Sequence, residues 1–214
     1  MNHSNRPAQA DAGQWVFTGE IRDRGRFNDK CAWCEKQNMR LTFEVRHVNA
    51  DDACRICPAC LDRRPVRVGH EGRVLEGQDR RNFLRGLSVR RMHRTCREVL
   101  RNLLARSDDP ALQEAAVYFD RNVQLSPGRA ATIFLALSNS NLDADSRIFK
   151  VQIRSPAHRR EFGCLSEREK LAVWPVLSPT IRNRLIAVGL APARHAAPRH
   201  SRARHLTATL QALI

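Results

Sequence analysis

The chain is poor in lysine and has no long apolar run. Of its 37 basic residues, 33 are arginine and only four are lysine. The longest segment without a charged residue, Ala130 to Leu142, has 13 residues, whereas a membrane-spanning helix needs about 20 apolar residues. No apolar run follows residues 1–6, which end in Arg6, so we expect no signal peptide. These absences favour a cytoplasmic protein without a membrane partner.

Acidic residues are also few relative to basic ones. Asp and Glu number 22, which leaves a formal net charge of +15 and a pI near 10.9. The hydrophobic fraction of 42% is ordinary for a globular protein and too high for a disordered one. A chain of 214 residues is long enough for one or two domains with a real core. The excess of positive charge favours an acidic partner such as nucleic acid.

The cysteines are crowded rather than scattered. Five of the seven lie between Cys31 and Cys60, in the pattern Cys31-x-x-Cys34 followed by Cys54-x-x-Cys57-x-x-Cys60. In a chain without an export signal, this crowding indicates metal binding rather than a disulfide framework. Two residues between cysteines allow both thiolates to face one ion at about 2.3 Å. We expect one structural zinc, because four cysteine ligands leave no position for water.

Three downstream cysteines compete for two ligand positions. We favour Cys57 and Cys60, because Pro58 suits the tight turn between them and Cys54 can then pack as a small hydrophobe on a strand. Cys54 with Cys57 is the rival pair. His47 could replace one thiolate, although in a strand it is expected at the surface. A redox Cys-x-x-Cys pair is disfavoured, since thioredoxin-like sites need a βαβ context.

Hydrophobic periodicity predicts strands first and helices later. Apolar and polar residues alternate over Trp15–Ile21 and Leu41–Val48, which predicts two strands. From residue 78 onward the period is helical. Gly86 is expected to end a first short helix, and Ser88 to cap a second.

The remaining helices are predicted from their start signals. Pro110 suits the first turn of one helix, and Ser-Pro pairs predict helix starts at Ser126 and Ser178. Residues 156–175 are expected to be helical, and Ile148–Ile153 to form a short strand. The predicted fold class is α+β, with a small zinc-ribbon or treble-clef β-hairpin module followed by a mainly helical domain.

Charge and composition set the predicted boundaries. They give a disordered tail at 1–13, a zinc-finger module at 14–68, a linker at 69–77, a mainly α-helical domain with one short strand at 78–190, and a basic tail at 191–214. We expect the apolar stripes of the helical domain to pack on one another without the finger.

Nearly half of the net charge lies in residues 78–106, which carry nine arginines against Asp79 and Glu98. At 100° per residue, four of these arginines fall within about 60° of one another, away from the apolar stripe. They are Arg90, Arg94, Arg97 and Arg101. We expect that only Glu98 is near enough to neutralise one of them. Unpaired guanidinium groups suit phosphate oxygens, although a merely solvated face is the alternative.

The C-terminal segment is a second candidate for contact with nucleic acid. It has no acidic residue and no periodicity, which is typical of a flexible basic arm. Its basic residues are Arg194, Arg199, Arg202 and Arg204.

The order of knuckle, β-hairpin and second cysteine pair resembles a zinc ribbon or treble-clef finger. Over residues 14–185 the chain also resembles uncharacterised zinc-finger proteins of bacterial plasmids and integrative mobile elements. The shared motifs are the knuckle Cys31-Ala-Trp-Cys34, a strand of the type Leu41-Thr-Phe-Glu44, a Leu-Ser-Pro helix start at 125–127 and a Phe-Lys-Val strand at 149–151. Glu35 follows the knuckle where glycine is usual. The resemblance implies a mobile-element origin and no defined activity.

These observations predict a zinc-finger protein that binds nucleic acid, with DNA as the favoured partner, and that acts as a regulatory or accessory factor of a bacterial mobile element. The alternative is a zinc-stabilised protein–protein adaptor whose helices after residue 107 dock a partner. We expect no enzyme, because the chain has no Gly-rich phosphate loop and no His-Glu-x-x-His motif. A nuclease is disfavoured, since Glu44 and His47 alone make a poor catalytic pair.

Overall fold

The computed structural model describes residues 14–195, so the predicted tail at 1–13 and residues 196–214 lie outside the described part. The strands are β1 Trp15–Asp23, β2 Leu41–His47, β3 Ala53–Ile56, β4 Val66–Arg67, β5 Gly69–His70 and β6 Arg73–Val74. The helices are α1 Pro58–Arg63, α2 Gly77–Leu104, α3 Pro110–Asn122, α4 Pro127–Asn139, α5 Pro156–Cys164, α6 Glu167–Val173 and α7 Pro179–Ala187. Short 3-10 turns occur at Ser146–Ile148, Trp174–Val176 and Ala193–His195. The fold class is α+β, as predicted.

The first four strands form one sheet in the order β3-β2-β1-β4. β2 is antiparallel to both β1 and β3, and Phe43 lies opposite Ile56, while β4 runs parallel to β1. The register of β1 shifts between Phe17 and Ile21, where Gly19 has a φ of +91°. Glycine permits this conformation at a bulge because it has no Cβ. β1 and β2 match the two strands predicted from alternation, and the remaining pair β5–β6 is a separate hairpin.

One face of the sheet and helix α1 enclose a first hydrophobic core. Phe43, Val45 and Ile56 are fully buried there, together with Leu61 of α1. The same core contains three cysteines of the crowded segment. The cysteines are therefore held by a small β-sheet core rather than by a loop alone.

Helix α2 is continuous over 28 residues, so the predicted break at Gly86 is wrong. Ser88, predicted as an N-cap, lies inside the helix, where its hydroxyl donates to the carbonyl of Leu84 at 2.7 Å. Leu84 is buried in the first core, whereas Cys96 and Leu100 are buried in a second. A glycine inside a helix costs about 1 kcal/mol relative to alanine. Burial of both halves of α2 outweighs that cost.

The second core lies among the C-terminal half of α2 and helices α3 to α7. Phe119 meets Phe149 edge to face, with ring centroids 5.5 Å apart. The strand predicted over residues 148–153 is wrong, because the structure has only an isolated bridge between Leu125 and Val151 there. Phe149 and Ile153 are buried in this core. The alternation of apolar residues over 148–153 therefore reflects burial among helices and not a strand.

Candidate metal centre

The first cysteine pair lies on a tight turn before β2. The amide of Cys31 donates to the carbonyl of Lys36 at 2.9 Å, and the amide of Glu35 donates back to the carbonyl of Cys31 at 3.0 Å. Glu35, which directly follows the first cysteine pair, has a φ of +59°. This left-handed conformation costs a non-glycine residue about 1–2 kcal/mol. The turn thus keeps the glycine-like backbone shape without glycine.

The second pair lies where β3 passes into α1. Cys57 is the N-cap of α1, and its sulfur accepts a hydrogen bond from the amide of Cys60 at 3.3 Å. Pro58 occupies the first helical position, where a missing N–H has no cost. The amide of Ala32 donates to the carbonyl of Arg55 at 2.9 Å, which joins the first turn to β3. Together these contacts bring the two pairs face to face.

The four sulfur atoms have the separations expected around one tetrahedral ion. Cys31 Sγ lies 3.8 Å from Cys60 Sγ, and Cys34 Sγ lies 3.7 Å from Cys57 Sγ. All four atoms lie within 4.8 Å of one another. Zinc–sulfur bonds of about 2.3 Å in a tetrahedron place the sulfurs about 3.8 Å apart. The group therefore fits one metal ion, and a single structural zinc suits it.

Burial makes a cation necessary if these thiols are to ionise together. Cys31, Cys57 and Cys60 are buried, and burial raises the pKa of both Cys57 and Cys60. Cys34 is exposed, and the backbone N–H of Lys36 is the main reason that its pKa is lowered to about 7. Zinc binding requires thiolates and stabilises them by its own charge. With four thiolates bound, no position is left for a reacting water.

The other candidate ligands lie outside this group. Cys54 pairs with Val45 across β3 and β2, and burial raises its pKa to about 11, so it stays a neutral thiol at neutral pH. His47 packs its ring against Trp15, with centroids 5.2 Å apart. The structure thus assembles the favoured set of four cysteines, and the rival pairing of Cys54 with Cys57 and the replacement by His47 do not form.

The four predicted arginines of α2 are all exposed, but they are not equivalent. Arg97 Nε lies 2.8 Å from Asp120 Oδ1 of α3. The expectation that only Glu98 could neutralise one of the four is therefore wrong, because it considered neighbours in sequence alone. Within residues 14–195, Arg90, Arg94 and Arg101 have no carboxylate partner.

Of the four arginines predicted to bind nucleic acid in the C-terminal segment, only Arg194 lies within the described residues. Arg194 is exposed in the 3-10 turn Ala193–His195. Arg199, Arg202 and Arg204 lie outside the described residues. Their contact with nucleic acid stays a prediction.

One important arginine was not predicted at all. Arg40 is nine-tenths buried and pairs with the fully buried carboxylate of Asp23 at 2.9 Å. Its guanidinium also donates to the carbonyls of Ile148 at 2.8 Å and Met92 at 3.1 Å. No sequence signal distinguishes Arg40 from the other arginines, because its partners lie far away along the chain. It connects the metal-binding part of the protein to the helical part.

Comparison of the chain with protein-family models, curated proteins and solved structures finds no match. Among the helices of residues 14–195, none has both the length and the apolar character needed to cross a bilayer. The structure defines this protein as an α+β protein with a four-cysteine site for one metal ion.

Proposed function

We propose that this zinc-finger protein binds nucleic acid, with duplex DNA as its partner, through the exposed arginines of α2. As the motif resemblance suggests, it would serve as an accessory or regulatory factor of a bacterial mobile element. The zinc has a structural role in this proposal, because four cysteines fill its coordination.

The observation that carries the proposal is a row of unpaired guanidinium groups on a rigid helix. Arg90, Arg94 and Arg101 lie on one face of α2, exposed and without a carboxylate partner among the described residues. The row spans about 16 Å along the helix axis. Guanidinium groups donate in a planar fork that matches phosphate oxygens. A row of this length is suited to several phosphates of one strand.

The surroundings of α2 suggest how it would meet DNA. Its N-terminal half buries Leu84 against the sheet core, and its C-terminal half buries Cys96 and Leu100 in the helical core. Both halves of α2 are thus held against the body of the protein by buried residues, and we infer that its exposed arginines lie along the DNA backbone instead of entering a groove as a recognition helix does. Contact with the phosphate backbone fits this geometry, and phosphates carry no sequence information. We therefore expect binding with little sequence preference.

A nuclease function has less support. Glu44, the acid weighed for such a role, forms an ion pair with Arg55 at 2.8 Å across β2 and β3. The ring of His47 packs against that of Trp15. A carboxylate neutralised by arginine is a poor ligand for a catalytic metal.

Fluorescence anisotropy of a labelled duplex with the zinc-loaded full chain tests the proposal. We expect saturable binding at low salt that weakens steeply as salt rises, since each phosphate contact releases counterions. Protein purified at low salt should also carry nucleic acid that a high-salt wash removes. Absence of binding to duplex DNA, single-stranded DNA and RNA at low salt would overturn the proposal. The adaptor function would then be the better hypothesis.

A further inference from the structure

Arg40 makes the buried polar contacts between the base of the metal-binding loop and the helical region, beside the contacts that Gly25 and Phe27 make with Asp145 and Arg147. Arg40 Nε donates to both carboxylate oxygens of Asp23, at 3.2 and 3.0 Å. Its Nη1 donates to the carbonyl of Ile148 and its Nη2 to the carbonyl of Met92. Asp23 ends β1, Met92 lies in α2, and Ile148 ends a 3-10 turn. Arg40 therefore joins three separate parts of the fold in a buried site.

Arg40 is held at the base of the loop that carries the first two metal ligands. It directly follows Met39, whose amide and carbonyl pair with those of Asp29 at 3.0 and 3.1 Å and close the loop. Inside the loop, Glu35 and Asn38 both have left-handed backbone conformations. Such a short, strained loop needs an anchor at its tip. The ion bound by Cys31 and Cys34 would provide that anchor.

Loss of the ion would therefore affect the helical region as well as the loop. If the loop opens, Arg40 loses its fixed position and Asp23 is left as a buried carboxylate without its cation. The carboxylate would keep the hydrogen bond that it accepts from the amide of Gly25 at 2.9 Å. A buried charge without a partner is strongly unfavourable, so the surrounding structure must open to water.

We propose that Arg40 couples the four-cysteine metal site to the helical region, so that metal occupancy controls the local stability of α2 around Met92 and of the turn at Ile148. This coupling does not depend on nucleic-acid binding. Because linkage is reciprocal, the helical region must in turn increase the affinity for zinc through the same contacts.

Hydrogen exchange on the full chain, with zinc and after chelation, tests the coupling. In the wild type, chelation should reduce protection of residues 92–100 and 146–149 by about tenfold or more, together with the loop at 29–39. The test variant combines Asp23→Asn with Arg40→Met, which removes both charges so that neither remains buried alone. In this variant, chelation should reduce protection of the loop only.

Zinc affinity, measured by competition with a chelator, provides the reciprocal readout. The double variant should still bind one zinc per chain. Its zinc affinity should fall by the same factor by which zinc binding raises the protection of the helical region in the wild type. Arg46→Met is the matched control, because Arg46 lies exposed on β2. It should leave both the exchange response and the zinc affinity unchanged.

Two results would overturn the proposal. One is unchanged protection of residues 92–100 when zinc is removed from the wild type. The other is a double variant whose helical region still responds fully to chelation and whose zinc affinity is that of the wild type. If the double variant does not fold, Arg40→Lys replaces it, since lysine keeps a cation beside Asp23 but lacks the fork that reaches both carbonyls.

Discussion

Arg97 of α2 and Asp120 of α3 form an exposed ion pair, with Nε and Oδ1 2.8 Å apart. The two side chains are 49% and 60% exposed, so the pair adds little to stability. Its importance is electrostatic, because it neutralises one member of the arginine row and leaves the others free. The row therefore offers three cations to a phosphate backbone rather than four.

The first prediction separates the free arginines from the paired one. With three duplex phosphate contacts, the slope of log affinity against log salt should be about −2.7, and Arg90→Ala with Arg94→Ala should reduce its magnitude by about 1.8. Arg97→Ala is the matched control and should change the slope much less, because Asp120 already neutralises that residue. Anisotropy titrations at several salt concentrations measure these slopes. Equal slopes for all three proteins would mean that the row is merely solvated.

The second prediction concerns the stability of the Arg40 junction. Arg40→Met leaves the carboxylate of Asp23, which is 0% exposed, without its partner. Breaking one side of a buried pair costs about 3–5 kcal/mol. Arg97→Met breaks an exposed pair and should cost about 1 kcal/mol or less. Urea denaturation of the zinc-loaded proteins measures both, and similar losses in the two variants would contradict the role assigned to Arg40.

The third prediction concerns the N-terminus of α6. Ser166 and Glu169 form a capping box, in which Glu169 Oε2 accepts from the amide of Ser166 at 2.8 Å. Hydrogen bonds from the hydroxyl and then the amide of Ser166 lower the pKa of Glu169 below its usual 4.5. Ser166→Ala should cost about 1 kcal/mol at neutral pH. Ser138→Ala, at an exposed position in α4, is the control and should cost almost nothing.

The pH dependence of this cap follows from the direction of the shift. A lowered pKa means that the folded state favours the carboxylate, so the stabilisation is present above pH 4.5 and is lost as the pH falls through the lower folded-state pKa. The difference in unfolding free energy between the wild type and Glu169→Gln should therefore shrink below pH 4.5. Comparison with this variant removes the separate effect of zinc loss in acid. A difference that stays constant with pH would contradict the cap.

The metal centre and several helix starts could be predicted from sequence because their signals are local. Cys-x-x-Cys spacing fixes a turn within a few residues. A proline in the first helical position likewise marks the start of α3, α4 and α7. Ser178 caps α7 as predicted, through a hydrogen bond from the amide of Ile181. Ser126 occupies the expected position before α4, but its hydroxyl donates to the carboxylate of Glu161 from α5. Even there, the start of the helix was predictable and the distant partner was not.

The features missed by the sequence analysis depend on contacts between distant segments. Gly86 lies inside α2 because two separate cores bury the residues on either side of it, and local propensity carries no information about those cores. The pairing of Arg97 with Asp120 depends on how α3 packs beside α2. Arg40 meets Ile148, 108 positions away, which no periodicity or motif indicates.

The metal content of the freshly purified full chain tests the central claim most directly. Elemental analysis should find one zinc per chain in the wild type and in Cys54→Ser, because Cys54 lies outside the four-cysteine group. Cys57→Ser should lose most of the metal, because Cys57 Sγ lies 3.7 Å from Cys34 Sγ within that group. Well under one zinc per wild-type chain would contradict the account, as would zinc lost from Cys54→Ser but retained in Cys57→Ser.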